Sequence, residues 1–166
     1  MAPFFSFPQY RFAFKSRLNL LLVRTVQARC GRPVPNINCR LCNAHPETLS
    51  HVINHCTRNL GLVRERHNAI LDRLIRAMPD FMGMKFREQP LPGTSGDNRP
   101  DLVIISPDNS TATIIDATMP FEGCPSALQD AADAKIIKYH PLCAQLSGNF
   151  TRVTFLPFVI GSLGSS

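Results

Sequence analysis

At 166 residues the chain has room for one compact domain and a small appendage, and its 44% hydrophobic residues supply a core that a disordered tail lacks. The formal charge of +6 is uneven: residues 1–88 hold 14 of the 18 basic residues and 5 of the 12 acids, a balance of +9, whereas residues 89–166 hold 4 and 7, a balance of −3. A basic half joined to a mildly acidic half suits a protein that grips a polyanion with one part and binds metal with the other, although a plain solvated basic surface accounts for the charge equally well.

The first 29 residues contain no acid, and their apolar runs are broken by Arg11, Lys15, Arg17 and Arg24, too short to span a membrane. An acid-free, Arg-bearing start also raises a mitochondrial presequence as an alternative to a nuclear address. Residues 1–10 are rich in Phe and Pro, fit no period and are expected to be loose. From 12 to about 28, Phe14, Leu18, Leu21, Leu22 and Val26 recur at three and four, which predicts one helix with Arg17 and Arg24 turned away from its apolar stripe. Gly31-Arg-Pro-Val-Pro35 breaks it. A cysteine cluster follows, with a short helix expected from about Pro46 toward Cys56. Leu60, Val63, His67, Ile70, Leu71, Leu74 and Met78 form the stripe of a half-buried helix that Pro79 stops. A short strand is expected at 84–88, a loop at 90–98, and a hairpin of two strands at 102–105 and 112–117 turning on Pro107-Asp-Asn-Ser110. A helix from 126 to about 146, bent or interrupted at Pro141, and a last strand at 153–160 complete the order helix, strand, strand, strand, helix, strand, a mixed α/β layer.

Three of the six cysteines cluster as Cys39-x2-Cys42-x8-His51-x4-Cys56, while Cys30, Cys124 and Cys143 are scattered, a pattern of metal binding in a reducing compartment and not of a disulfide framework. Zinc takes four N/S ligands in a tetrahedron, and two thiolates from a tight loop facing two ligands from a helix meet that need with no position left for water, so the role is structural. His45 and His55 stand nearby and leave the histidine assignment open; His51 is preferred for its longer return loop. Five residues of ideal α-helix turn Cys56 about 140° away from His51, so Cys56 is expected just past the helix end.

Asp101 opens the first strand of the hairpin and Asp116 lies near the end of the second, which brings them close to opposite one another. Paired carboxylates of this kind bind Mg²⁺ or Mn²⁺ for chemistry on a phosphodiester. Such chemistry also wants an ammonium beside the attacking water, and the usual P-D…D-x-K pattern would put it at position 118, which is Thr118. Lys135 and Lys138, the two lysines of the second half, stand on the next helix and are the replacements. Taken singly, Asp101 reads as a strand-start carboxylate and Lys135 as a solvated helix residue; the combination with the knuckle shifts the balance.

Arg17-Leu-Asn-Leu20, the C-x2-C-x8-H-x4-C run, Arg66-His-Asn68, Arg99-Pro-Asp-Leu-Val103, Asp116-Ala-Thr118 and Lys135-x2-Lys-Tyr139 follow one another in an order that resembles the C-terminal part of the polyprotein of site-specific non-LTR retrotransposons encoding a restriction-like endonuclease. The resemblance covers roughly residues 16–164. It implies a restriction-endonuclease-like PD-(D/E)xK core (αβββαβ) behind a small helical zinc knuckle. Its parts would be a loose 1–15, a basic helix and knuckle at 16–58, and a C-terminally truncated nuclease domain at 59–166. It further implies structural Zn²⁺ on Cys39, Cys42, His51 and Cys56, Mg²⁺ or Mn²⁺ on Asp101 and Asp116, and Lys135 as catalytic lysine with Lys138 second. Arg66 and His67 match a family motif that implies DNA backbone contact or support of the site; the +9 balance adds Arg64 to the expected DNA contacts, and Lys138, beside Tyr139, is placed for a DNA phosphate. The partners implied are target DNA, the element's RNA and a reverse transcriptase domain of the same polyprotein, in the nucleus, with no membrane. The activity implied is nicking of target DNA to prime reverse transcription; the alternative is a catalytically inactive, zinc-stabilised nucleic-acid-binding module derived from such an element.

Overall fold

The computed structural model describes residues 6–89 and 99–165, so the loop expected at 90–98 and the first five residues of the expected loose start lie outside it. The single helix expected at 12–28 is two helices, α1 (Phe7–Arg17) and α2 (Arg24–Arg29). Helix α1 begins earlier than its apolar pattern suggests because Ser6 caps it, its backbone N–H donating to Gln9 Oε1 at 2.8 Å. It stops because Asn19 takes the left-handed conformation (φ 54°) and the backbone closes from Leu20 N–H to Lys15 O at 2.8 Å. Gly31 (φ 70°) ends α2 in the same manner, with Arg32 N–H donating to Gln27 O at 3.0 Å. The expected stripe and polar face are also corrected. Phe14, Leu18 and Leu22 are exposed, whereas Arg17 donates to Leu163 O at 2.9 Å and Arg24 to Asn38 O at 2.8 Å.

From residue 60 onward the expected order stands: α3 (Leu60–Ala77), β1 (Met84–Arg87), β2 (Leu102–Ile105), β3 (Thr111–Thr118), α4 (Ala127–Leu146) and β4 (Arg152–Val159). The sheet runs β1-β2-β3-β4, with the first three strands antiparallel and β4 parallel to β3 across the α4 connection. Pro157 is tolerated in β4 because that strand is an edge. Helix α4 continues through Pro141 without interruption.

Strand alternation sorts the core into two layers. Leu102, Ile104 and Ile115 face α3 and pack with Leu74, Ile75 and Met78. Val103 and Ile114 face α4 and pack with Tyr139, Leu142 and Leu146. Asp116 is two residues beyond Ile114, so the strand period of two turns it toward α4 as well. The apolar stripe of α4 (Tyr139, Leu142, Leu146) extended back by one turn meets Lys135, so that lysine lies on the sheet-facing side of the helix. On the α3 face of the sheet, the guanidinium of Arg87 on β1 pairs with Asp72 of α3. No helix among the described residues is long and apolar enough to cross a membrane.

Candidate active site and metal centre

The knuckle is built on a tight turn. Asn43 adopts φ 56° and donates its N–H to Cys39 O at 2.8 Å, and Cys39 N–H donates to His45 O at 2.8 Å. The Leu41 N–H points at Cys39 Sγ from 3.4 Å, and the backbone amide of Ala44 pulls the Cys42 thiol below its usual range, toward the thiolate a metal binds. On the other side, residues His51–His55 form a widened turn in which Cys56 N–H donates to His51 O at 2.7 Å, an i to i+5 bond. The wider ring, followed by extended backbone at Cys56 (ψ 121°), returns the Cys56 side chain to the His51 side, which ideal α-helical geometry does not.

Among the described residues, Cys39, Cys42, His51 and Cys56 form the group in which three or more metal-ligating side chains converge, their ligand atoms within 4.8 Å of one another. Cys39 Sγ and Cys56 Sγ are 3.9 Å apart, and Cys42 Sγ and His51 Nε2 are 3.2 Å apart. A tetrahedral zinc with bonds of about 2.0–2.3 Å needs ligand separations of about 3.3–3.8 Å, and both distances lie within about 0.1 Å of that range, so the donor set fits zinc. Neither His45 nor His55 joins the group.

Glu47 anchors this knuckle, and it was not among the residues expected to matter. Its buried carboxylate accepts from the backbone N–H groups of Arg24 (3.0 Å) and Arg40 (2.8 Å) and pairs with the Arg40 guanidinium at 2.5 Å, tying α2 to the Cys39–Cys42 turn. The Arg40 hydrogen bonds pull its pKa down to about 2. The signal was present in the sequence, since Glu47 is the one acid in the first 64 residues. A carboxylate held this low contributes stability that is full above its unfolded pKa, about 4.3, and is lost as pH falls through about 2. Glu47→Gln should therefore cost on the order of 2 kcal/mol at pH 7 in denaturant unfolding. The gap from wild type should close between about pH 4.3 and 2. A gap that stays constant with pH would remove the carboxylate from this role.

The second constellation lies at the end of the β2–β3 hairpin. Leu102 pairs with Ile115, which carries Asp101 opposite Asp116 as the hairpin expectation required. Asp101 Oδ2 accepts from Ala117 N–H at 2.6 Å and lies 3.1 Å from His67 Nε2 of α3. Burial, and secondarily the charge of Asp116, raise the Asp101 pKa above its ordinary value. Asp116 is buried; its Oδ1 accepts from the Tyr139 hydroxyl at 2.5 Å. Its Oδ2 faces the Lys135 ammonium in an ion pair. Burial, then the bond to Asp116, push the Tyr139 pKa far up, so this hydroxyl stays a donor. Two carboxylates close enough to repel, brought opposite one another across the hairpin, form a hard oxygen set that fits a divalent cation.

Lys138 does not reach the carboxylates; its ammonium donates to the Tyr139 hydroxyl at 3.1 Å from the exposed flank of α4. Tyr139 was not singled out as a site residue, although it falls one turn after Lys135. Arg64 and Arg66, both expected to contact DNA, do not lie side by side. Two residues apart on α3 they project to different sides, Arg64 into solvent and Arg66 toward the knuckle, where it donates to Asn54 Oδ1 at 2.8 Å. Arg66, His67, Thr118 and Lys135 line a cleft of about 550 Å³ together with Asn54 and His55 of the knuckle.

No family model matches the sequence. A solved structure described as a phenuivirid cap-snatching endonuclease superimposes with a TM-score of 0.41 at 18% identity, over 63% of this chain and 50% of that one. The chain is 30% identical over 132 residues, 79% of its length, to the retrovirus-related Pol polyprotein from a type-2 retrotransposable element of Drosophila melanogaster, and spans 12% of that polyprotein. With a Cys3His cluster that fits a zinc knuckle ahead of a mixed α/β core, the chain is a homologue of a segment of the type-2 retrotransposon Pol polyprotein.

Proposed function

We propose that the chain is a metal-dependent, restriction-like DNA endonuclease module that nicks target DNA, the freed 3′ hydroxyl then priming reverse transcription of the element's RNA by a polymerase domain of the same polyprotein, in the nucleus. The observation that carries this reading is the pairing of Asp101 with Asp116 across the hairpin, with Lys135 against Asp116 Oδ2. A Mg²⁺ or Mn²⁺ ion, when bound, supplies an activated water and offsets charge on the phosphodiester. Asp101 and Asp116 are the residues that would hold it. Tyr139, donating to Asp116 Oδ1, and the Ala117 amide with His67, on Asp101 Oδ2, fix both carboxylates in position. Lys135 supplies positive charge where the pentacoordinate phosphate becomes more anionic. The excess of positive charge in residues 1–88 supports phosphate-backbone binding by α3 and the knuckle.

The inactive-module reading has one observation in its favour, Thr118 where the strand would carry the lysine. Relaxation of supercoiled plasmid in Mg²⁺ or Mn²⁺, with wild type beside Asp101→Ala, separates the two. The nuclease reading expects nicking that the substitution abolishes, by about a hundredfold or more. Wild-type protein that binds the plasmid and leaves it intact in either metal leaves only the binding module.

A further inference from the structure

We infer that Asn54 is a positioning residue through which the zinc knuckle aims Arg66 at a substrate phosphate, so that the knuckle forms one wall of the nuclease site. The inference rests on the nuclease and DNA-binding reading above. Asn54 sits in the widened turn between two of the four cluster residues, three after His51 and two before Cys56. Whatever fixes those two side chains fixes Asn54.

Its amide is used on both sides. Oδ1 accepts from Arg66 Nη2 at 2.8 Å, while Nδ2 donates to Met119 O at 3.1 Å and to Ser162 Oγ at 3.0 Å. Ser162 Oγ donates in turn to Pro120 O at 2.8 Å. Met119 and Pro120 directly follow β3, the strand that carries Asp116, so one side chain links the knuckle, the segment leaving the catalytic strand, and α3. The amide can satisfy this pattern in only one orientation, since its acceptor must face the guanidinium and its donors the carbonyl and hydroxyl.

Arg66 is the part of this linkage with unused capacity. One guanidinium nitrogen is held by Asn54, and the side chain lines the cleft that also contains His67, Thr118 and Lys135. A guanidinium anchored through one nitrogen in the wall of a cleft that it shares with Lys135 is arranged to donate its remaining N–H groups to an anionic oxygen. Burial lowers the Arg66 pKa somewhat, but a guanidinium stays charged. The anion that suits this place is a phosphodiester group of the strand that Asp101 and Asp116 address. The bridge also explains why a knuckle without an open coordination position sits against the site: its ion would set the rotamer of an arginine about ten residues away in sequence.

A double-mutant cycle tests this on the full zinc-loaded chain. The measurements are affinity for a short DNA duplex in Ca²⁺, zinc content, and nicking kinetics in Mg²⁺. Asn54→Ala should keep its zinc and lose about tenfold in duplex affinity, as Arg66→Ala does, and the double variant should lose little more than either alone. In nicking, the loss should appear in KM more than in kcat, because Arg66 positions the strand and does not touch the reacting water. Asn54→Ser, too short to span the gap, should repeat the result if the alanine variant is unstable. Unchanged affinity in both Asn54 variants, or losses that multiply in the double variant, would overturn the inference. If wild type binds duplex but never nicks, the nuclease reading fails while the affinity cycle still reads the Asn54–Arg66 coupling.

Discussion

Lys135→Ala should stop nicking, lowering its rate by about 10²- to 10⁴-fold, while duplex affinity stays within a few-fold of wild type. The ammonium of Lys135 lies against Asp116 Oδ2, the oxygen of that buried carboxylate that Tyr139 does not hold. Lys138 is one step removed, reaching Asp116 only through the Tyr139 hydroxyl. Lys138→Ala should therefore cost less than about tenfold in rate, through a less firmly oriented Tyr139, together with a modest loss of affinity from one fewer exposed positive charge. Removing Lys135 also leaves Asp116 facing no cation, a destabilisation that could pass for lost catalysis. Lys135→Arg controls for it, since a guanidinium compensates the carboxylate but does not reproduce a compact ammonium at the reacting group. It should restore the melting temperature and remain slow. Both single variants belong in one nicking and one binding assay at fixed salt. If Lys138→Ala is the dead variant and Lys135→Ala cuts normally, the roles are reversed; if neither slows cutting, the helix does not supply the lysine.

The Asp101–Asp116 pairing was legible before any coordinates because hairpin register is arithmetic. A turn at 107–110 between strands of period two brings those positions opposite each other, and the observed Leu102–Ile115 pairing agrees. Helix α3 was legible because its apolar repeat is long and Pro79 ends it. The break between α1 and α2 was not, because it depends on Asn19 in a left-handed conformation, and an asparagine in an apolar run at helical spacing carries little warning. Arg17 and Arg24 followed the helical pattern in sequence, yet their places are set by carbonyls 146 and 14 residues away, which no local pattern contains.

The site divides along the same line. Residues whose role follows from spacing, such as Cys39, Cys42 and His51, lie together in the structure. Residues that work by joining distant segments were missed: Glu47 between α2 and the Cys39 turn, Tyr139 between α4 and β3, and Asn54 between the knuckle and the segment after β3. The x4 spacing of His51 and Cys56 looked unfavourable for an α-helix, and the chain resolves it by widening the turn, a solution that costs regular hydrogen bonding and is found where function fixes the side chains.

Freshly purified, reduced protein should contain about one zinc per chain, and stripping it should unfold the knuckle while the sheet survives. Binding to a Cys3His site of this kind is worth about 10–16 kcal/mol in apparent free energy, and what else holds residues 37–58 is small by comparison. The supports are the Glu47–Arg40 pair, a short bridge between Asn38 and Pro46, the Asn54 bonds to Arg66, Met119 and Ser162, and the buried side chains of Leu49, Cys39, His51 and Cys56. Without metal, three thiols and an imidazole would crowd one another with no compensating bond. The two apolar layers around β2 and β3 share no residue with the knuckle, so their packing does not require the ion. Amide exchange after chelation should therefore rise by several orders of magnitude across 37–58 and remain slow at Val103 and Ile114. Cys56→Ser, which removes a buried ligand and leaves the exposed surface unchanged, should reproduce the pattern without a chelator. Chelation should also weaken duplex binding by no more than Asn54→Ala together with the loss of the knuckle's own basic residues. Absence of zinc by elemental analysis, or exchange that rises equally in the knuckle and in β2 and β3, would show that the four side chains are not a structural metal site.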